Sequence, residues 1–443
     1  MDALNERQSQ TDLIEQLLTL CRQQGADAAE ASIDSGHGLA VTVRMGQVET
    51  IEHQRDKGLG VTVYRGRRKG SASSSDFSAA ALKETVTAAC TIAAQASEDE
   101  CAGLIEAACL ATDIPDLDLY HPWEPTPDQA IDMATECENT ARGQDKRITN
   151  SEGVLVSTYS GSHLYGNSHG FSGGWDWSSH NIECTLIAEQ DGLMQAGNWY
   201  SRARDRNDLQ AIDAVGRQAA ERTLSRLGAR KLGTRQAPVI FEAPVASSLF
   251  AALINAISGG ALYRKATFLL DKLGEQIFPD DMQIHEQPFL KKAQGSAPFD
   301  NDGMATGNKH FVRDGILQGY VLSAYSARKL GLQPTGNAGG VHNLTVETGN
   351  DTLSDLIKQM HTGLLITELI GFGVNQVTGD YSRGASGFWV EGGEVQYPVE
   401  EITVAGNLTE MFRQITAVGG DVDRRRNIRT GSVLVENMTI AGE

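Results

Sequence analysis

The chain has 443 residues, 40% of them apolar and 21% charged, which describes a globular protein too long for one ordinary core and predicts about two or three domains. With 38 basic against 57 acidic residues its formal charge is −19, and such a surface repels phosphate backbones, arguing against direct nucleic-acid binding. The opening MDALNERQSQTDLIEQ lacks a basic and an apolar leader region, and the longest greasy stretch, SLFAALINAISGGAL, is broken by Asn255, two serines and a glycine pair and falls short of a membrane span.

A helix is expected near residues 11–24, with Leu13, Leu17, Leu18 and Cys21 as its apolar stripe and Gly25 as its stop. A meander follows. LAVTVRMGQVETIEHQ alternates about a Met45-Gly46 turn and LGVTVYRGRRKGSASSS about Arg65-Gly66, with Val41, Val43, Val48, Val61 and Val63 in period-2 spacing. Asp76 or Ser78 caps a second helix carrying Leu82, Val86, Cys90 and Ala93. Residues 112–127 hold four of the chain's eleven prolines and read as a stiff connector.

Beyond it the grammar repeats: a helix opened by Asp128, two strand regions, and a helix over about 208–227. The predicted division is therefore 1–111, the connector 112–127, 128–232, and a strand-rich C-terminal part over 236–443. In that last part PVIFEAP reads as a strand, and Pro244 suits the first turn of a helix. Hairpins are expected at Asp314-Gly315 and Gly392-Gly393, and Asn407 with Glu410 forms a capping pair for a helix bearing Met411, Phe412 and Ile415. The fold class is α+β.

The six cysteines are scattered without a CxxC, so most read as small core hydrophobes, reduced in the cytoplasm. The basic runs Arg65–Lys69 and Arg424-Arg425-Arg426 read as solvated faces or local salt bridges.

The stretch GDYSRGASG (379–387) crowds glycines, serines, an acid and an arginine before a strand. A nucleophile elbow needs Gly on both sides of the serine at two residues' distance; Ser386 has Phe388 at the second site and Ser382 has Asp380 at the first, so both fail. No lysine completes a phosphate loop. What remains is a loop in which Gly379, Gly384 and Gly387 supply special backbone angles, or one that binds a ligand through its amides, hydroxyls and Arg383.

No His pair sits one helical turn apart around a Glu, the zinc-hydrolase spacing. His285-Glu286 stands without a second His within a turn, and His163 and His169 are about 20 Å apart along an unbroken strand.

GNSHGF, GGALYRKATFLLDKLG, SAYSARKLGL with PTGNAGGVHN, and TGDYSRGASGFWVEGGEVQYPVEEITVAGNL resemble the TldD/PmbA family, and within it the PmbA branch, also called TldE. The resemblance runs from about Ser32 to Gly442. It implies cytoplasmic peptidases (the U62 group), historically labelled modulators of DNA gyrase and linked to peptide maturation, with an α/β N-terminal region, a β-rich C-terminal domain, and dimers enclosing a cavity. In the TldD branch a helix carries a zinc motif of a His, a Glu and a second His, and a cysteine near the C-terminus completes a zinc site. Aligned through Arg264-Lys265, those positions fall here on Ala252, Leu253 and Ala256, and the cysteine near Thr430. The resemblance therefore implies no catalytic or metal residue in this chain, and zinc in a TldD-like partner.

It also sharpens the 379–387 stretch: Asp380, Tyr381, Ser382 and Arg383 become candidates for strand-addition binding of an unfolded peptide, or for a dimer contact. Two alternatives stay open. One is an autonomous hydrolase using His163, His169 or His342; the other is a peptide-binding homo-oligomeric scaffold.

Overall fold

The computed structural model describes residues 3–442. The first half runs α1 (Ala3–Gln23), β1 (Ala28–Arg44), β2 (Gln47–Arg65), β3 (Arg68–Ser74), α2 (Ala79–Gln95), α3 (Pro127–Arg142), β4 (Ile148–Asn167), β5 (Ser172–Gln190), β6 (Leu193–Ala203) and α4 (Ile212–Ser225). Its strands form one antiparallel sheet in the order β3-β2-β1-β4-β5-β6. The repeated helix–meander–helix grammar thus builds two halves of a single sheet, joined where β1 pairs with β4.

β1 is long enough to serve both halves. Its Ala31 and Ile33 bury against Leu17 and Cys21 of α1 and Val86 of α2. Its Leu39, Val41 and Val43 bury against Cys137 of α3 and Val215 and Ala219 of α4. The β1–β2 turn has positive φ at both Met45 and Gly46, the geometry that matches strand twist in a two-residue hairpin.

Local boundaries differ from expectation in several places. α1 starts at Ala3. α3 opens one residue before Asp128, because Thr126 and Gln129 close a capping box ahead of Pro127. Ser78, not Asp76, caps α2 by accepting from the Ala81 amide. The expected helix over 208–227 shortens to α4, preceded by a 3₁₀ turn at Arg206–Asp208. All six cysteines are free; four are buried, three on helices and Cys184 on β5.

The second half runs β7 (Arg235–Phe241), α5 (Ala243–Ala256), α6 (Gly259–Tyr263), β8 (Ile284–Glu286), β9 (Lys309–Arg313), β10 (Ile316–Leu317), α7 (Ala324–Leu330), β11 (Leu344–Val346), α8 (Leu353–Met360), β12 (Gly363–Ile370), β13 (Asp380–Glu391), β14 (Glu394–Asn407), α9 (Leu408–Arg413), β15 (Ile415–Val418), β16 (Ile428–Arg429) and β17 (Val433–Ala441). One sheet has the order β14-β13-β12-β7-β17-β15, and β14 also pairs with β17, so it curls back on itself. The other has the order β10-β9-β8-β11-β16. Phe241, Leu249, Phe250 and Leu253 share one apolar core with Ile284, Val312, Leu344 and Trp389, each such side chain contributing about 1.5–3 kcal/mol on burial. The hairpins at Asp314-Gly315 and Gly392-Gly393 form as expected. Asn407 caps α9 by accepting from Thr409, and Ile415 belongs to the next strand rather than to the helix.

The 379–387 stretch is corrected. It is not a loop: Asp380 begins β13, paired with β12 on one side and β14 on the other. Gly379 does carry φ +80°. Gly384 and Gly387 are strand residues without positive φ, and Gly387 is required by space, since a Cβ there would meet the Leu365 carbonyl oxygen at 1.9 Å.

Candidate active-site region around α5

β7 leads through Glu242 directly into α5, whose first turn holds Pro244. The Ala243 amide donates to Ser432 Oγ at 3.0 Å, and that hydroxyl donates to Asp421 at 2.6 Å. The segment 419–432 is thereby fixed against the helix start, with Thr430 inside it.

α5 is buried on nearly every side: Leu249 and Leu253 are joined by Ser247, Phe250, Ala252 and Ile254. Ala252 is 4% exposed, and Leu253, Ala256 and Thr430 are fully buried. Zinc takes thiolate, imidazole or carboxylate donors. Ala and Leu offer no donor atom, and the Thr430 hydroxyl already donates to the Gly431 carbonyl at 3.0 Å. These four residues do not fit a zinc ion.

Beside the first turns of α5 lies a cavity of about 440 Å³, lined by Ser247, Ser248, Leu369, Arg383, Arg426 and Asn427 among others. Arg383 comes from β13, and its Nε is buried without a hydrogen-bond partner. The other candidates from that stretch do not join it. Tyr381 is a core residue, its phenol pushed up to about 12 by burial against the opposing Arg383 charge. Asp380 accepts from Thr378 Oγ1 at 2.6 Å and Asn407 Nδ2 at 3.2 Å, which hold its carboxyl below the usual range. Ser382 is exposed, and its amide donates to the Gly373 carbonyl.

Arg426 and Asn427 also line a larger cleft of about 1030 Å³ with Tyr159, Trp177, Tyr200 and Arg202 of the N-terminal sheet. In the run 424–426, Arg425 makes a local salt bridge to Asp423 at 2.9 Å, one of the two expectations for it, and also stacks over Trp199 and Tyr200 at 4.1 and 4.2 Å, tying the two halves together. The alternation of charge and aromatics that forms this cleft comes from separate strands, and no local sequence signal marks it.

His163, His169 and His342 are not gathered. His163 contacts Asp34 at 2.7 Å and packs on Trp175. His169 sits exposed in the β4–β5 turn, and His342 lies in the segment before β11. Among the described residues, one group of three has metal-ligand spacing: His285, His310 and Glu347. His285 has no second His within a helical turn of sequence, but β8–β9 pairing sets His310 opposite it.

Family models match residues 29–93, 120–227 and 234–442 as PmbA/TldA metallopeptidase domain 1, central domain and C-terminal domain. The chain belongs to the PmbA/TldA metallopeptidase family. It is 47% identical over 446 residues to Metalloprotease PmbA of Escherichia coli O157:H7, covering 100% of this chain and 99% of that one. The crystal structure of a Bacteroides thetaiotaomicron protein named for modulation of DNA gyrase superposes with a TM-score of 0.93 at 28% identity, over 98% of this chain and 99% of that chain. A Metalloprotease TldD homolog of Haemophilus influenzae is 23% identical over 388 residues, covering 82% of this chain and 79% of that one.

Proposed function

We propose that this chain is the noncatalytic subunit of a two-chain metallopeptidase, pairing with a TldD-like chain that carries the zinc. The observation that carries the reading is α5, where Ala252, Leu253 and Ala256, with Thr430, present no ligand to a metal and pack as core. Hydrolysis then rests on the partner's metal site, and no step is assigned to a metal in this chain.

The role left to this chain is to complete the cavity and hold unfolded peptide. Arg383 and Arg426 make the α5 cavity cationic, suited to a peptide carboxylate. The adjoining cleft offers Tyr159, Trp177 and Tyr200 for apolar side chains. The end of β12 and the segment after it present Ile370, Phe372 and Val377 to solvent, Phe372 completely, and such a knob next to β13 suits burial against a partner subunit. A cytoplasmic site of action agrees with six unpaired cysteines. No helix among the described residues is long and apolar enough to cross a membrane.

The test is peptide turnover by this chain alone, by a TldD-like chain alone, and by the two mixed. Turnover that needs or strongly gains from mixing is the expected result. Turnover by this chain alone would establish an autonomous hydrolase, and no turnover or association in any combination would leave a homo-oligomeric scaffold.

A further inference from the structure

The five-stranded sheet carries a second constellation on the face turned away from α5. His285 of β8 pairs across the ladder with His310 of β9 and with Thr345 of β11. Glu347 lies two residues beyond Thr345 and so falls on the same side. Ile284, Leu344 and Val346 point the other way, into the core that α5 shares. Ligand atoms of His285, His310 and Glu347 all lie within 4.8 Å of one another.

Two observations mark the group as a set of metal ligands. His285 Nδ1 is buried and makes no hydrogen bond, and a buried polar atom left unpaired calls for a cause. The same atom is 3.6 Å from Glu347 Oε1, close to the separation of about 3.4 Å between two ligands of one tetrahedral zinc.

We propose that His285, His310 and Glu347 form a divalent transition-metal site that ties β8, β9 and the end of β11 together. Two imidazoles and one carboxylate select zinc, cobalt or nickel over magnesium or calcium, with water filling the remaining position. One group competes with the ion. Arg313 Nη2 donates to His310 Nδ1 at 3.0 Å, so that nitrogen's lone pair is engaged until the exposed guanidinium swings away. The site is independent of the peptidase reading, because Ala252, Leu253, Ala256 and Thr430 lie on other elements and take no part.

The experiment strips the full chain with a chelator and titrates it with zinc chloride by calorimetry, and with cobalt chloride by visible absorption. One equivalent should bind, with a tetrahedral cobalt spectrum. His310→Ala and Glu347→Gln, both changes at sites that are not deeply buried, should each weaken binding about tenfold or more. Arg313→Gln should tighten it several-fold, an effect that adventitious surface binding would not show. Absence of binding at about 100-fold excess zinc over protein, or unchanged binding in both ligand variants, would overturn the proposal. Peptide turnover on mixing with a TldD-like chain should be the same for His310→Ala as for the parent, which separates this site's failure from that of the subunit reading.

Discussion

Arg222 of α4 grips Glu242, the residue that introduces α5, through two parallel bonds: Nη1–Oε1 at 2.7 Å and Nη2–Oε2 at 2.8 Å. Both side chains are largely buried, and the guanidinium also lies 5.3 Å above the Trp199 ring. This bidentate pair connects the N-terminal half to the start of α5. Arg222→Ala leaves a carboxylate without its partner and should cost about 1.5–3 kcal/mol in urea unfolding. Arg222→Lys should recover only part of that, since an ammonium cannot reproduce the planar fork. Equal midpoints for the parent and Arg222→Ala would show that the pair is not coupled to folding.

How much of this was legible beforehand depended on the range of the interaction. The hairpin at Asp314-Gly315 was readable because its positive φ values, +51° and +72°, select residues locally. The α5 assignment was readable because Pro244 marks a first turn. The joining of β1 to β4 was not: Ile33 meets Leu164 across a long intervening segment, and nothing near either residue encodes the partner. Arg425 was legible in part: its acid Asp423 is local, as a local salt bridge requires, but its aromatic neighbours Trp199 and Tyr200 come from a distant strand that nothing near it encodes. The glycines of GDYSRGASG suggested a loop because composition does not distinguish a positive φ from a close approach of two strands.

That distinction gives a direct comparison. Gly387→Ala would place Cβ 1.9 Å from the Leu365 carbonyl oxygen, a backbone atom of the paired strand that cannot swing aside. Gly384→Ala meets first the Ile370 Cβ, at 3.3 Å, and Ile370 is exposed and can give way. Thermal or urea unfolding should show Gly387→Ala less stable by at least about 1–3 kcal/mol, with Gly384→Ala within about 1 kcal/mol of the parent. A reversed order would mean that space does not explain these glycines.

Asp300 should set a pH dependence. Burial, then the charge of Asp302, pushes its carboxyl up to about 7, although the Ala338, Met304 and Asp302 amides all donate to it. An acid with a raised folded pKa holds its proton more tightly when folded, so stability falls as pH rises between about 4 and about 7. Asp302→Asn removes the neighbouring charge and should flatten the fall in that window. Urea midpoints measured at half-unit steps test it, and a slope left unchanged by Asp302→Asn would refute the coupling.

Restoring a single element of the zinc motif should harm this chain rather than activate it. Leu253 is fully buried in the core that includes Phe250, Trp389 and Phe412. Leu253→Glu places a carboxyl among apolar side chains with no partner, and should destabilise the fold by about 3–5 kcal/mol. Leu253→Met keeps volume and polarity and should cost less than about 1.5 kcal/mol. The contrast separates loss of packing from loss of chemistry, because neither variant removes a group able to ligate metal. If Leu253→Glu instead folds with parental stability and, combined with Ala252→His and Ala256→His, takes up zinc, then α5 retains a working metal pocket and its present residues are not there for packing alone.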